Sequence, residues 1–588
     1  MKQILSNFIT LMKAAWHIEK RYFLYIFFNI SGISIFSYYS IQIPKIVLDM
    51  IENKSIDFSY LAIVFLTLAL SAFVVSMTKV FYMPVGSKIR YSYLLEISKQ
   101  YMSIPYEVYE NPSVQDNIWK ISRPVSSIDG IQGFYTDLAQ FVGNLGIFLI
   151  AIGLLFKLEI WIVILVLTWF IFYTYLSIRA SNKIDKRINN RIHLLQEEWY
   201  LDDIAIDVAY GKEIRVFQLQ NWMQTKLSVL YKKMNKLFRE NENTRVLPNI
   251  LDDTYQFLRD SLIYIFLIVL FFNNKMSIGE LASYSVLISQ LNRALMMGTD
   301  NLQRLLSKHE NYKHMFDFIN IPTQSNQGIS IEEKEDWIIE FENVSFKYPD
   351  TEHWIYKDLN FTIKSKQKLA IVGLNGVGKT TLLKLLLRLY KPSIGTIKLN
   401  GINIDEYKLE DYFNLFAPVF QEINLFPFTI RDNISFGQDI DDDALISSFA
   451  KAGLDHKQFN KDTLDSVYLT RYLYSEGLML SGGQAQKFVT ARAIAFNRPI
   501  YIFDEPTSAL DAVAEYDFYH QIESDMNDKT ILFVSHRLAS TQFCDEILLI
   551  EGQSILEKGS HESLLNQGGR YAELFNMQAK YYRNEEVL

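Results

Sequence analysis

Lys368-Leu369-Ala370-Ile371-Val372, followed by Gly373-Leu374-Asn375-Gly376-Val377-Gly378-Lys379-Thr380, decides how the second half of this chain folds. The first five residues read as a short apolar strand, and Thr381 to Tyr390 continue as an amphipathic helix. Between them the loop has the spacing GxxxxGK[ST], in the strand, loop and helix order that this loop requires. Glycines let backbone N–H groups converge on phosphate oxygens, and the helix N-terminus adds its dipole. Gly373, Asn375, Gly376, Val377, Gly378, Lys379, Thr380 and Thr381 are therefore the expected nucleotide cradle. Lys379 would contact the β and γ phosphates of ATP, and the Thr380 hydroxyl would join the shell of a Mg2+ ion.

Such a shell needs a carboxylate. Ile500-Tyr501-Ile502-Phe503 is an apolar run that ends in Asp504 and Glu505, as a buried strand reaching a polar edge would. Asp504 is the expected metal residue, and Glu505 the general base facing the attacking water.

Shortly before that strand stands Leu480-Ser481-Gly482-Gly483-Gln484, which resembles the signature of the ATP-binding cassette (ABC) transporter superfamily. The resemblance covers almost the whole chain and implies further roles. Tyr348, in Phe346-Lys347-Tyr348-Pro349, resembles the aromatic residue that stacks on adenine. Gln421, in Val419-Phe420-Gln421-Glu422, resembles the glutamine that links the metal and γ-phosphate region to the membrane domain. Ser508 to Asp511 look like the D-loop, with Asp511 in the nucleotide set, and His536 resembles the switch histidine on the γ-phosphate. The same resemblance implies dimers in which Ser481, Gly482, Gly483 and Gln484 of one subunit complete the ATP site of the other. With every motif intact, a homodimer is expected. Ala485 and Lys487 depart from the family's usual basic pattern after the signature.

The first half reads differently. Tyr22–Ile41, Leu61–Thr78, Ala139–Phe156 and Ile160–Ile178 contain no Asp, Glu, Lys or Arg and are about as long as a helix needs to cross a bilayer. Two weaker candidates, Tyr255–Phe272 and Met276–Gly298, bring the expected count to six, an even number that keeps both termini on one side. Loops 1–21, 83–138 and 179–255 hold 4, 5 and 13 Lys and Arg, against Lys45, Lys54, Lys157 and Lys275 in the opposite loops. The long loops, the N-terminus and the ATPase domain are therefore expected in the cytosol, with the chain in the cytoplasmic membrane. Helical periodicity such as Ile184, Ile188, Ile192 and Leu195 predicts that the spans continue beyond the bilayer. Arg293 is a candidate for a substrate path, and residues 1–21 read as an amphipathic surface helix.

These readings divide the chain into a helical membrane domain at 1–320, a linker at 321–335 and an α/β P-loop NTPase domain at 336–588. By resemblance, short coupling helices lie near Pro105–Ile121 and Asp207–Gln218. A net charge of −8 without a basic patch argues against a nucleic-acid partner. The single cysteine, Cys544, excludes an intrachain disulfide and reads as a core residue.

The expected activity is ATP hydrolysis coupled to export by alternating access. Glu197-Glu198-Trp199-Tyr200 and Gly211-Lys212-Glu213-Ile214 are similar to segments of bacterial lantibiotic-peptide and multidrug exporters, which makes a peptide the first expected cargo and a lipid or amphiphilic drug the second. About twenty residues precede the first span, so no leader-peptidase domain is expected there. An ATP-gated channel or regulator is the alternative of another class.

Overall fold

The computed structural model describes residues 2–583 except 55–56, 325, 333–335, 350 and 508–511. The chain forms two compact units: residues 1–104 with 112–322, and residues 105–111 with 323–588.

The first unit is helical. Among the described residues, five helices are long and apolar enough to cross a membrane, Arg21–Glu52, Phe58–Ser103, Ile131–Leu155, Ile160–Ile188 and Gln220–Phe272. A sixth, Ile278–Ser307, is long enough but carries Glu280, Arg293, Asp300 and Arg304, so its composition alone does not mark it as a span. Its buried face instead uses Gly279, Ser283, Ala294 and Gly298. Small side chains let helix backbones approach closely where lipid supplies no hydrophobic drive for association. At Gly32 the approach is visible, since a Cβ there would lie 2.9 Å from Val75 Cγ2.

The predicted extension beyond the bilayer is present. Phe58–Ser103 has 46 residues and Gln220–Phe272 has 53, lengths of roughly 70 and 80 Å against a hydrocarbon layer of about 30 Å. Arg293, the expected path residue, is exposed. Arg259 is buried, paired with Asp260 at 2.8 Å and bonded to Asn292. The N-terminal segment is a helix, Lys2–Ile18, with Leu11 and Ala15 buried and Trp16 exposed.

The second unit holds two sheets. Strands β1 (Ile338–Lys347), β2 (Trp354–Lys364), β4 (Ile394–Leu399) and β5 (Ile402–Asn403) form an antiparallel sheet in the order β2-β1-β4-β5. Strands β3 (Lys368–Val372), β6 (Phe416–Val419), β7 (Ile500–Asp504), β8 (Thr530–Ser535), β9 (Glu546–Glu551) and β10 (Ser554–Gly559) form the other, in the order β10-β9-β3-β8-β7-β6. Strands β9, β3, β8, β7 and β6 run parallel. Every residue of β7 and β8 is buried, as expected for a parallel sheet covered on both faces. Phe503 and Phe533 stack there with ring centroids 5.4 Å apart.

The expected linker is partly built into this unit. Ile329 N donates to Glu406 O at 2.8 Å and Lys408 N donates to Ile329 O at 3.0 Å, so the segment forms a short bridge beside Tyr407. The boundary therefore falls at 322/323, and Pro105–Asn111 belongs with the second unit although flanking chain belongs to the first.

Candidate functional site

Parallel register brings the candidate residues together. Val372 pairs with Ser535, Asp504 with Val534, and Val419 with Phe503, so β3, β8, β7 and β6 all end at one edge of the sheet. Ligand sites of open α/β sheets lie outside the carboxyl ends of their strands. The P-loop follows β3, His536 follows β8, Glu505 follows β7 and Gln421 lies two residues past β6.

The P-loop conformation depends on its glycines. Gly376 and Gly378 have φ of +80° and +106°, where a side chain is strained. A Cβ on Gly378 would also meet Ile355 Cγ2 at 2.6 Å. Gly378 caps the helix Lys379–Leu386. Lys379 is 7% exposed and donates from Nζ to Gly373 O at 2.9 Å and Leu374 O at 3.2 Å, closing the loop on itself. Burial lowers the basicity of its ammonium, while Glu505 and Asp504 oppose that shift.

Asp504 is 3% exposed. Burial pushes its carboxyl up to about 6, with Glu505 adding to the rise and Lys379 opposing it. Glu505 adopts a left-handed φ of +50°, unusual for a residue with a side chain. Its N–H still bonds Val534 O at 2.9 Å. The turn aims its carboxylate across the sheet edge, where Oε1 meets His536 Nδ1 at 2.8 Å and Oε2 accepts from Gln421 Nε2 at 2.9 Å. The Glu505 carboxylate is thus held on both oxygens, by His536 and by Gln421, a fixed orientation of the kind that a general base requires.

Tyr348 sits on the other side of the P-loop helix. Its hydroxyl pairs with Thr381 Oγ1 at 2.9 Å, and its ring lies edge-on to Tyr390 at 5.3 Å. Lys384 Nζ stands 5.7 Å from that ring and 2.9 Å from Glu110 Oε1. Glu110 Oε2 also accepts from the Tyr390 hydroxyl at 2.5 Å. No local motif pointed to Glu110, Lys384 or Tyr390, because their meeting joins positions far apart in the chain.

The signature residues lie elsewhere in the unit. Ser481 caps the helix Gly482–Phe496: its Oγ accepts from Gln484 N at 3.3 Å, and Gln484 Oε1 accepts from Ser481 N at 3.0 Å. This capping box leaves the helix N-terminus open, with Ser481 and Gly482 exposed. Among the described residues, no hydrogen bond or ion pair joins it to the P-loop. Asn375, Gly376 and Thr380 are exposed in the loop. The expected D-loop, Ser508 to Asp511, lies outside the described residues.

Known proteins carry the same elements. A family model described as ABC transporter matches residues 356–508. The chain is 28% identical over 506 residues to the subtilin transport ATP-binding protein SpaT of Bacillus subtilis, covering 82% of this chain and 78% of that one. It is 28% identical over 496 residues to an ATP-dependent lipid A-core flippase of Legionella pneumophila strain Paris, covering 82% and 81%. A lipid A-core flippase of Haemophilus ducreyi is 36% identical over 267 residues, 45% of each chain. The solved structure of a bacterial Atm1-family ABC exporter with ATP bound superposes with a TM-score of 0.76 at 20% identity, over 96% of this chain and 98% of that one. The exporter fold therefore spans both units.

Proposed function

We propose that the chain, an ABC transporter cassette joined to an exporter-fold membrane domain on one polypeptide, is a half-transporter for ATP-driven export, and that two copies export a peptide across the cytoplasmic membrane. The observation that carries the ATPase part is the meeting of Glu505 with His536 and Gln421 beside Lys379 and Asp504.

Lys379 gives up the carbonyls of Gly373 and Leu374 and turns its ammonium to the phosphates, which is favourable because a buried ammonium gains a charged partner. Glu505 accepts a proton from water as the water oxygen attacks the γ-phosphorus and the bond to the β–γ bridging oxygen breaks, releasing ADP and phosphate. His536 keeps Nδ1 on Glu505, leaving Nε2 for a γ-phosphate oxygen. Tyr348 presents its ring to adenine.

The donors also suit Mg2+: the Thr380 hydroxyl, the Asp504 carboxylate and the carbonyl oxygen of Gln421, whose amide nitrogen is already used on Glu505, are all hard oxygens. The ion would neutralise phosphate charge. Burial and Glu505 raise the Asp504 carboxyl, so a cation held there would favour its ionised form.

Two features support a homodimer. The exposed helix N-terminus at Ser481 suits an anion, and a second copy's ATP would supply one. The segment 207–218 exposes Val208, Val216 and Phe217, each at least 71%, an apolar strip that suits coverage by protein. ATP then closes the dimer, and hydrolysis reopens it. Only the difference in ATP affinity between the two arrangements moves the membrane helices.

A peptide is preferred as cargo because a relative aligned over most of both chains is named for subtilin transport; lipid is second, from the flippases. Inverted vesicles with purified protein provide the test. ATP-dependent uptake and ATPase stimulation by cationic amphiphilic peptides, and not by lipopolysaccharide cores or drugs, are expected. Stimulation by lipid alone overturns the peptide reading, and downhill flux without ATP overturns export itself.

A further inference from the structure

The loop that carries His536 is gripped from a direction that the ATPase motifs do not account for. The helix Arg570–Arg583 follows the last strand and starts against it: Arg570 N and Tyr571 N donate to the two oxygens of Glu557 at 2.6 and 2.9 Å. Tyr571 is fully buried, and its hydroxyl pairs with Thr541 Oγ1 and His561 Nδ1, each at 2.7 Å. These contacts fix the helix axially and rotationally. Gln578 stands seven residues after Tyr571, two turns along and on the same face.

Its amide spans the switch loop. Nε2 donates to His536 O at 2.8 Å, and Oε1 accepts from Leu538 N at 2.8 Å. One side chain thus satisfies a backbone acceptor and a backbone donor on either side of Arg537, as a neighbouring strand would. Arg537 is secured separately, by Ser535 Oγ at 2.9 Å from its N–H and by Glu515 at 2.6 Å from its guanidinium. Leu538 is 2% exposed, so water is a poor substitute partner for its N–H.

His536 must hold its ring against Glu505 through a short loop, and the ring direction follows the peptide plane that Gln578 orients. We propose that Gln578 is a positioning residue for ATP hydrolysis, through which the C-terminal helix sets the His536 ring against Glu505. The inference rests on the reading of His536 as the γ-phosphate histidine. It assigns the C-terminal helix a part in turnover, not only in covering the sheet.

The test uses the full-length protein in vesicles. Gln578→Leu keeps the volume and removes both bonds, while Gln578→Glu keeps the acceptor for Leu538 N–H and loses the donor to His536 O. Gln578→Leu is expected to lower kcat about tenfold with KM for ATP within about twofold, and Gln578→Glu to fall between it and the parent. Added to His536→Ala, Gln578→Leu should cost nothing further, since both act through one ring. Unchanged kcat in Gln578→Leu, or full additivity with His536→Ala, overturns the proposal. So does loss of kcat only in step with a fall in Tm, which would mark a structural role. If His536→Ala itself retains full activity, the reading of the ATP site falls with it; if His536→Ala is inactive and Gln578→Leu is not, only this proposal falls.

Discussion

Glu505 and His536 face each other across the ends of two neighbouring parallel strands, with Oε1 and Nδ1 2.8 Å apart. The pairing is set by strand register, since Asp504 lies opposite Val534 in the β7–β8 ladder and each functional residue follows its strand directly or one residue later.

Glu505→Gln therefore removes the base while keeping the shape. ATP hydrolysis should fall by about 10²–10³, while ATP still binds and the closed dimer accumulates. Steady-state ATPase measurement with cross-linking of the dimer checks both parts; an unchanged rate contradicts the role of Glu505.

Lys379→Ala acts on binding. The carbonyls of Gly373 and Leu374 lose the ammonium that now occupies them, and the phosphates lose their charge partner. ATP affinity should drop by about tenfold or more, the worth of a charged hydrogen bond, as read by titration with a fluorescent nucleotide.

Glu110 lies in the segment 105–111, which packs with the cassette unit, and holds both Lys384 and the Tyr390 hydroxyl next to Tyr348. Glu110→Ala frees Lys384 and Tyr390, both neighbours of Tyr348, the residue we propose to stack on adenine. KM for ATP should rise by a few-fold with kcat little changed, consistent with loss of one part-buried charge pair. A fall in kcat at constant KM would place Glu110 in transmission to the membrane domain instead.

Cys544 is buried, and burial, assisted by the charge of Asp545, pushes its thiol from 9.0 up to about 12. At pH 8 the folded protein then holds on the order of one thiolate in 10,000, against about one in ten when unfolded. Reaction with a thiol reagent should be negligible until denaturant is added. The folded state also keeps a proton that the unfolded chain releases, so stability should decline as pH rises from about 9 to about 12. Thiol labelling and denaturant midpoints at pH 8 and 10 test the two statements.

The cradle Gly373–Thr381, the Asp504-Glu505 strand end, the signature and the four charge-free runs of the long helices were legible because each is a local pattern, whereas the helices at Tyr255–Phe272 and Met276–Gly298 were expected from weaker runs and an even count of crossings. The sixth helix, Ile278–Ser307, carries Glu280, Arg293, Asp300 and Arg304, and the mixed inner face of Gly279, Ser283, Leu287, Ile288, Leu291, Ala294 and Gly298 that it buries is seen only once the helices are packed. The same holds for Arg259 being buried while Arg293 is exposed.

Residue types at short spacing were enough to determine that the chain has a phosphate-binding edge and a membrane half, since backbone geometry within one strand, loop or helix depends on near neighbours. Which side chains meet at that edge was decided by the tertiary structure alone. Gln421 reaches Glu505 across 84 positions, Glu110 reaches Lys384 across 274 and Gln578 reaches His536 across 42. Those distances are closed by parallel ladder register and by the docking of whole helices, which sum many weak contacts that no short stretch of sequence contains.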